Sequence, residues 1–340
     1  MAVDCVIIGV NCANTLAACI ESVCNCNYPS ADMNVWYVDG GSTDGSINIA
    51  GRFEAVNIIA LTPSHPTPGL GRNAGWRAGT AEFVQFLDSD TVLDPNWLTE
   101  AVQAITQDKV GAVRGNRSER HPDATMFNWI ADLEWNAPPG KCDDFGGDVM
   151  IRRDLLKAVD GYNEELVGGE DPELSRRIRD LGWNIVQLDR PMTTHDLAMT
   201  GYRQYWRRNF RSGYGFAAVT DMHRNSATSG FWHDEMRRIR MRGGGSLALF
   251  TLGIVAACIH PAFALLTLPA MALLFYPRLM RVEYFMRAKN LPMQAARFYA
   301  WHCSVVVLPQ LMGVIRYHIG KRFGCPLRNK RQRLKTGQTS

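Results

Sequence analysis

A chain of 340 residues with 46% apolar side chains has ample material for one or two packed cores, which excludes a disordered or low-complexity protein. Its net charge of +4 hides a gradient, because residues 1–110 hold 4 basic and 12 acidic side chains while residues 231–340 hold 17 basic and 3 acidic. The basic residues of the second half flank apolar segments and form no aromatic-laced groove, so anionic lipid fits them better as a partner than nucleic acid.

From the N-terminus the chain repeats strand, polar loop, helix. Val3 to Gly9 reads as a strand, and Leu16, Cys19, Ile20 and Val23 recur at the spacing of one helix face. Val35 to Val38 is a second strand that ends on a carboxylate, in Asp39-Gly40-Gly41-Ser42-Thr43-Asp44-Gly45. Val56 to Ala60 is a third, and a helix over Ala74 to Ala81 leads into the apolar run Glu82 to Leu87. Such alternation predicts a parallel sheet covered on both faces, with Asp39 and Asp88 projecting from one edge, where open α/β sheets bind ligands. The run closes on Asp88-Ser89-Asp90. Two acidic groups one residue apart repel unless a cation lies between them, and a hard divalent metal carrying a diphosphate meets that need. Gly69, Gly71 and Gly75 lack the spacing of a dinucleotide fingerprint.

Residues 116–145 are richer in Trp, Pro and charge than what precedes them, and are placed to line an acceptor side. Glu170-Asp171-Pro172-Glu173 predicts an acidic first helical turn with Asp171 as N-cap and Pro172 at N1, continued by Leu174, Ile178 and Leu181. Tyr202 to Arg211 is basic and aromatic. Leu247 to Tyr276 is almost wholly apolar and divided by Pro261, with arginines on both sides. A helical hairpin with both ends cytoplasmic and a tilted, kinked single span both fit it, and the flanking charge favours the hairpin. Ala295 to Ile319 suits a helix in the membrane interface, followed by a polybasic tail. The nine cysteines form no pair of Cys-x-x-Cys motifs, which predicts reduced thiols, and no signal peptide is expected ahead of the first strand.

Six motifs in order carry a resemblance. Val-Asp-Gly-Gly-Ser-Thr-Asp-Gly at 38–45 is followed by Gly-Arg-Asn-Ala-Gly at 71–75 and Phe-Leu-Asp-Ser-Asp at 86–90. Gly-Gly-Asp at 146–148 comes next, then Gly-Tyr-Asn-Glu-Glu at 161–165 with Gly-Gly-Glu-Asp at 168–171. The chain resembles a family 2 glycosyltransferase of the GT-A fold over roughly Val3 to Gly215. The resemblance implies an α/β fold, a Rossmann-like, mixed and mostly parallel sheet with helices on both faces, plus a C-terminal α-helical membrane-associated region.

It also implies roles. Asp39 would contact the base or ribose of a nucleotide sugar, Arg72 would lie near the nucleotide or diphosphate, and Asp88 at the ribose or metal. Asp90 and His195, with Asp88 nearby, would hold a divalent metal, Mn2+ or Mg2+. Asp171 would be the general base, with Glu170 orienting the acceptor. Trp135, Gly147 and Asp148 would lie on the acceptor side. The chain departs from the family pattern at Asn11-Cys12, where an aromatic residue and an asparagine are common, and at Asp39-Gly40, where paired aspartates are common.

The expected organisation is a catalytic domain over 1–220, a basic linker over 221–245, a hairpin or kinked span over 246–277, and an interfacial helix with basic tail over 278–340. The expected activity is inverting transfer from a nucleotide-diphosphate sugar to a lipid-linked or polysaccharide acceptor at the cytoplasmic face of the plasma membrane. A polyprenyl-phosphate sugar synthase of the same fold and an inactive nucleotide-sugar-binding protein are the alternatives.

Overall fold

The computed structural model describes residues 1–224 and 232–329, and these fall into two compact units, Met1–Thr200 with the residues from Arg328 on, and Gly201–Leu327. Of the expected basic tail, Lys330, Arg331, Arg333 and Lys335 lie outside the described residues.

The first unit is built on one mixed sheet. β1 (Val3–Gly9), β2 (Met33–Asp39), β3 (Val56–Ala60) and β4 (Phe83–Asp88) run parallel, in the spatial order β3-β2-β1-β4. β5 (Thr91–Leu93), β6 (Val110–Glu119), β7 (Gly140–Cys142), β8 (Val149–Arg152) and β9 (Asn184–His195) complete it. β8 is antiparallel between β4 and β6, β9 is parallel to β6, and β5 and β7 are each antiparallel to β9.

Helices cover both faces, which explains why the strands read as unbroken apolar runs. Val3, Cys5 and Ile7 face α1 (Leu16–Cys24) and α4 (Trp97–Ile105), after the short α2 (Ser46–Ala50). Val6, Val84 and Phe86 face α3 (Pro68–Ala78), α6 (Arg153–Ala158) and α7 (Glu170–Asp180), with α5 (Met126–Trp135) on the far side of β6. Asp4, on β1, is fully buried: it accepts from Asn34 Nδ2 at 2.8 Å and from the Ala81 N–H at 2.9 Å, and it pairs with Arg153.

Two boundaries differ from expectation. α3 begins at Pro68, six residues early, because the Thr67 hydroxyl accepts the Leu70 N–H at 3.2 Å and Pro68 takes the first turn. Its glycines mask the helix in sequence but let it lie on the sheet, since a Cβ on Gly75 would fall 2.2 Å from Val6 Cγ1. α7 is entered from Gly169, at φ +90°, so Asp171 lies inside the first turn and its carboxylate is released from capping.

The second unit is helical. α8 (Tyr202–Met222) and α9 (His233–Arg238) are followed by a π turn (Ile239–Gly244) running into α10 (Gly245–Ala257). Then come a 3-10 turn (Pro261–Leu266), α11 (Thr267–Leu279), α12 (Val282–Lys289), α13 (Met293–Val305) and α14 (Val307–Arg322). α8 and α14 cross through glycines: a Cβ on Gly213 would lie 2.0 Å from the Gln310 carbonyl, and one on Gly313 2.1 Å from that of Phe210. α10 and α11 fold back on each other, because Gly245 meets Leu273 and Gly253 meets Thr267. The apolar stretch is thus a hairpin in this fold, with Ile259 82% exposed at its turn.

Two helical runs, Pro261–Lys289 and Met293–Arg322, are long and apolar enough to cross a membrane by length and composition; the first is 11% buried over its apolar window and the second 61%. Ala295–Ile319, expected at a membrane interface, falls within the second run, where α14 crosses α8.

Candidate active site

The register of the parallel strands sets the site. Gly9 pairs with Asp39 and Ile8 with Asp88, so both carboxylates leave the same sheet edge on either side of β1. β5 turns back antiparallel to the end of β9, pairing Thr91 with His195 and bringing that histidine against Asp90.

Arg72, on α3, is the hub of the inner half. It is only 2% exposed. Nη1 stands 3.1 Å from Glu170 Oε1 and 3.1 Å from Asp171 Oδ1, and Nη2 donates to Asp88 Oδ1 at 2.9 Å. Its guanidinium also lies over the Tyr162 ring, 5.3 Å from the centroid. Burial alone would weaken its charge, but Asp171, Asp88, Tyr162 and Glu170 together hold it firmly protonated. With both terminal nitrogens engaged, Arg72 organises the three carboxylates around it.

Asp171 gains its chemistry from this setting. Burial drives its pKa well above the usual carboxylate range; Arg72 opposes the shift, while Glu170 and Asp88 add to it. A carboxyl group so tuned takes up a proton more readily than an ordinary aspartate does.

Asp90 and His195 form the outer half, Nε2 to Oδ2 at 3.2 Å, with the Asp90 side chain 41% exposed. Burial opposes ionisation of Asp90, but the His195 hydrogen bond and charge, with Arg117, hold its pKa below the ordinary value. Behind the imidazole, Nδ1 faces Glu119 Oε2 at 3.8 Å, and the Glu119 carboxylate accepts from Asn128 Nδ2 at 3.1 Å and the Leu197 N–H at 3.1 Å. The Trp135 ring meets the His195 ring edge-on at 5.0 Å. A carboxylate and an imidazole converging at a partly open surface, with a second carboxylate behind the ring, is a donor set that suits a divalent ion. Asp88 is engaged by arginines: Arg72 Nη2 lies 2.9 Å from one of its oxygens and Arg117 Nη2 3.7 Å from the other.

Asp39 is 1% exposed and its oxygens are occupied. It accepts from Tyr37 Oη at 3.0 Å, from the N–H groups of Gly41 at 2.9 Å and Ser42 at 2.8 Å, and from the Ser42 hydroxyl. It shapes the loop after β2, with both of its oxygens engaged. Asn11 and Asp44 zip that loop to the one after β1, through Thr43 N–H to Asn11 Oδ1 at 2.8 Å and Ala13 N–H to Asp44 Oδ2 at 3.1 Å.

Asp148, expected on the acceptor side, is 2% exposed beneath Asp88: it accepts the Asp88 N–H at 3.0 Å and the Thr193 hydroxyl at 2.8 Å. It steadies the backbone that carries Asp88 and presents nothing to an acceptor. Gly147 marks a close passage, since a Cβ there would stand 2.4 Å from Asp88 Oδ2 and 2.6 Å from Arg72 Nη2. Trp135 does lie at the site, between His195 and the Arg117 guanidinium, which stands 4.9 Å from its ring centroid.

Glu119 and Tyr162 were not legible as site residues. Glu119 opposes His195 only through the β6–β9 register, which no local pattern announces. Arg117 sits in the tryptophan-rich segment, whose charge was the available signal.

The model of the family described as Glycosyl transferase family 2 matches residues 4–158. Glycosyltransferase AglE of Haloferax volcanii is 24% identical over 211 residues, covering 60% of this chain and 69% of that protein. Beta-monoglucosyldiacylglycerol synthase of Nostoc sp. is 22% identical over 221 residues, covering 61% of this chain; the chain spans 47% of that relative's length. Mannosyltransferase PcManGT from Pyrobaculum calidifontis, in complex with GDP-Man and Mn2+, shares 20% identity at a TM-score of 0.59 over 89% of this chain and 86% of its own. S. aureus TarS 1-349 shares 15% at 0.55, over 88% and 90%. At these identities the structural likeness speaks for the fold alone.

Proposed function

We propose that this chain, a family 2 glycosyltransferase of the GT-A fold that draws on nucleotide-sugar donors, is a membrane-associated, metal-dependent, inverting enzyme acting on a lipid-linked or polysaccharide acceptor. One observation carries the mechanism: at a single sheet edge, Asp171 and the Asp90–His195 pair form two separate carboxylate environments, one pushed toward proton uptake and one held ionised. Sites that split their carboxylates in this way divide base chemistry from charge stabilisation.

In this reading Asp90 and His195 hold the divalent ion, with the Glu119 carboxylate behind the imidazole, 3.8 Å from Nδ1. When bound, such an ion supplies positive charge opposite a departing nucleoside diphosphate. A mannosyltransferase of similar fold is known in complex with GDP-Man and Mn2+, the two ligand classes this reading assigns here. Asp171 removes the proton from the acceptor hydroxyl as its oxygen bonds to the sugar C1. The C1–O bond to the diphosphate breaks, the electron pair leaves with the nucleoside diphosphate, and an α-linked donor gives a β-linked product. Arg72 keeps Asp171, Glu170 and Asp88 together so that repulsion does not part them. Asp39 acts through the loop it shapes, whose neighbours Asn11 and Asp44 edge the donor side.

Membrane association is supported by the exposed apolar hairpin. Leu252, Ile254, Val255, Leu265 and Leu268 are each more than half exposed on α10, α11 and the turn between them. Arginines precede and follow it, which supports both ends lying on the cytoplasmic side. Screening nucleotide sugars for manganese-dependent release of nucleoside diphosphate tests the reading. Release that needs the metal and falls in Asp90→Ala is expected; metal-independent turnover unaffected by that change would overturn it.

A further inference from the structure

At the polar end of the hairpin is a group of cations with no carboxylate partner among the described residues. Arg242, in the π turn, is 7% exposed, and its Nη2 donates to the Leu274 carbonyl at 2.7 Å. Its Nε and Nη1 are buried without a hydrogen-bond partner. Four residues on, Ser246 is 4% exposed and its hydroxyl is likewise unpartnered; four residues back, so is Arg238 Nε, although Arg238 Nη2 reaches Gln310 Oε1 at 3.4 Å.

Burial, with the charges of Arg278 and Arg238 and, more weakly, Arg281, brings the Arg242 pKa down to about 10. Among the described residues no carboxylate pairs with any of these four arginines. Proteins rarely bury a guanidinium with idle N–H groups beside other cations, because the desolvation is left uncompensated. A tetrahedral oxyanion would engage the fork and the hydroxyl together.

The local backbone suits a site more than a plain helix joint. A π turn inside a helix recurs at functional positions, and here it ends on Gly243-Gly244, with Gly245 opening α10. A Cβ on Gly243 would lie 3.1 Å from the Val307 carbonyl, and one on Gly245 3.1 Å from Leu273 Cδ2, so neighbouring helices close directly on the turn.

We propose that Arg238, Arg242, Ser246 and Arg278 bind the phosphate, monoester or diphosphate, of an anionic lipid. Its hydrocarbon runs along the outward apolar side chains of the hairpin, including Leu247, Leu268 and Met271. The inference rests on the membrane association proposed above, and adds a headgroup-specific contact to it.

The test uses the full chain in nanodiscs, following thermal unfolding and activity. Phosphatidic acid added to phosphatidylcholine discs should stabilise the protein. Arg242→Met should raise the midpoint in plain phosphatidylcholine, because it removes an uncompensated buried cation, yet lower the apparent affinity for phosphatidic acid by at least about 10-fold. Arg287→Met, at an exposed arginine beside Glu283, should leave both unchanged. If Arg242→Met does not fold, Arg278→Gln should still show the lost lipid response.

Three results would overturn the proposal. One is equal stabilisation by free inorganic phosphate or pyrophosphate, which would make the ligand soluble. The second is a lower midpoint in Arg242→Met with an unchanged lipid response, which would make Arg242 a cap for the Leu274 carbonyl. The third is a phosphatidic acid response that neither variant alters. A full chain that fails to associate even with neutral bilayers would instead remove the membrane reading itself, and so is told apart from failure of this site.

Discussion

The Asp171 carboxylate is raised in pKa by burial and by like charge from Glu170 and Asp88, while Arg72 stops short of cancelling the effect. A base must be ionised to act, so activity should climb with pH through a point above the ordinary carboxylate range and be lost below it. A pH–rate profile of kcat/KM with an acid limb at the value of a free aspartate would contradict the assignment. Asp171→Asn should cut transfer by at least ~10²-fold while donor binding stays near that of the wild type. Asp4 belongs to stability and not to chemistry. Sealed at 0% exposure with Arg153, it should cost about 3–5 kcal/mol when replaced by Ala, because the arginine is left buried and unpaired. Chemical denaturation measures that loss; a change under ~1 kcal/mol would show that water reaches the pair.

At the scale of elements, the strands and the carboxylates at their ends were readable because both sheet faces are buried and the chain writes each strand as an apolar run. What could not be read was non-local or glycine-bearing. The first turn and a half of α3 was hidden by Gly69 and Gly71, although these and Gly75 let the helix rest on the sheet. The Glu119–His195 juxtaposition depends on a parallel pairing of strands more than 60 residues apart. Asp39 and Asp148 were legible as important acids but not as buried ones, since satisfaction by Gly41, Ser42, Thr193 and the Asp88 backbone is set by loop geometry. Gly147 gives an element-level test. Any side chain there strikes the Asp88–Arg72 contact, so Gly147→Val should reduce activity far more than it reduces the thermal midpoint. Equal activity would show that β8 can shift without disturbing the site. The hairpin gives another: α10 and α11 have 13 residues each, about 20 Å of helix against roughly 30 Å of hydrocarbon. Cysteines placed at Arg240 and Arg281 should therefore be labelled from the same side of sealed vesicles, and labelling from opposite sides would establish a single span.

For the whole molecule, the acidic first third and the basic last third separate two tasks. In the proposed function the sheet edge concentrates carboxylates for donor chemistry, and the arginines and exposed apolar side chains of the helical unit meet a membrane surface. Shortening the chain should respect this division. A cut at Thr200 follows the boundary of the first unit, whereas a cut near Arg242 would strip α14 from its crossing with α8 at Gly213 and Gly313. The measurement that bears most directly on the central claim is calorimetric titration of a nucleotide sugar into the full chain, with and without Mn2+. The account predicts tight donor binding only with the metal, its loss in His195→Ala and Asp90→Ala, and its retention in Asp171→Asn. Donor binding that ignores Mn2+ and survives His195→Ala would contradict it.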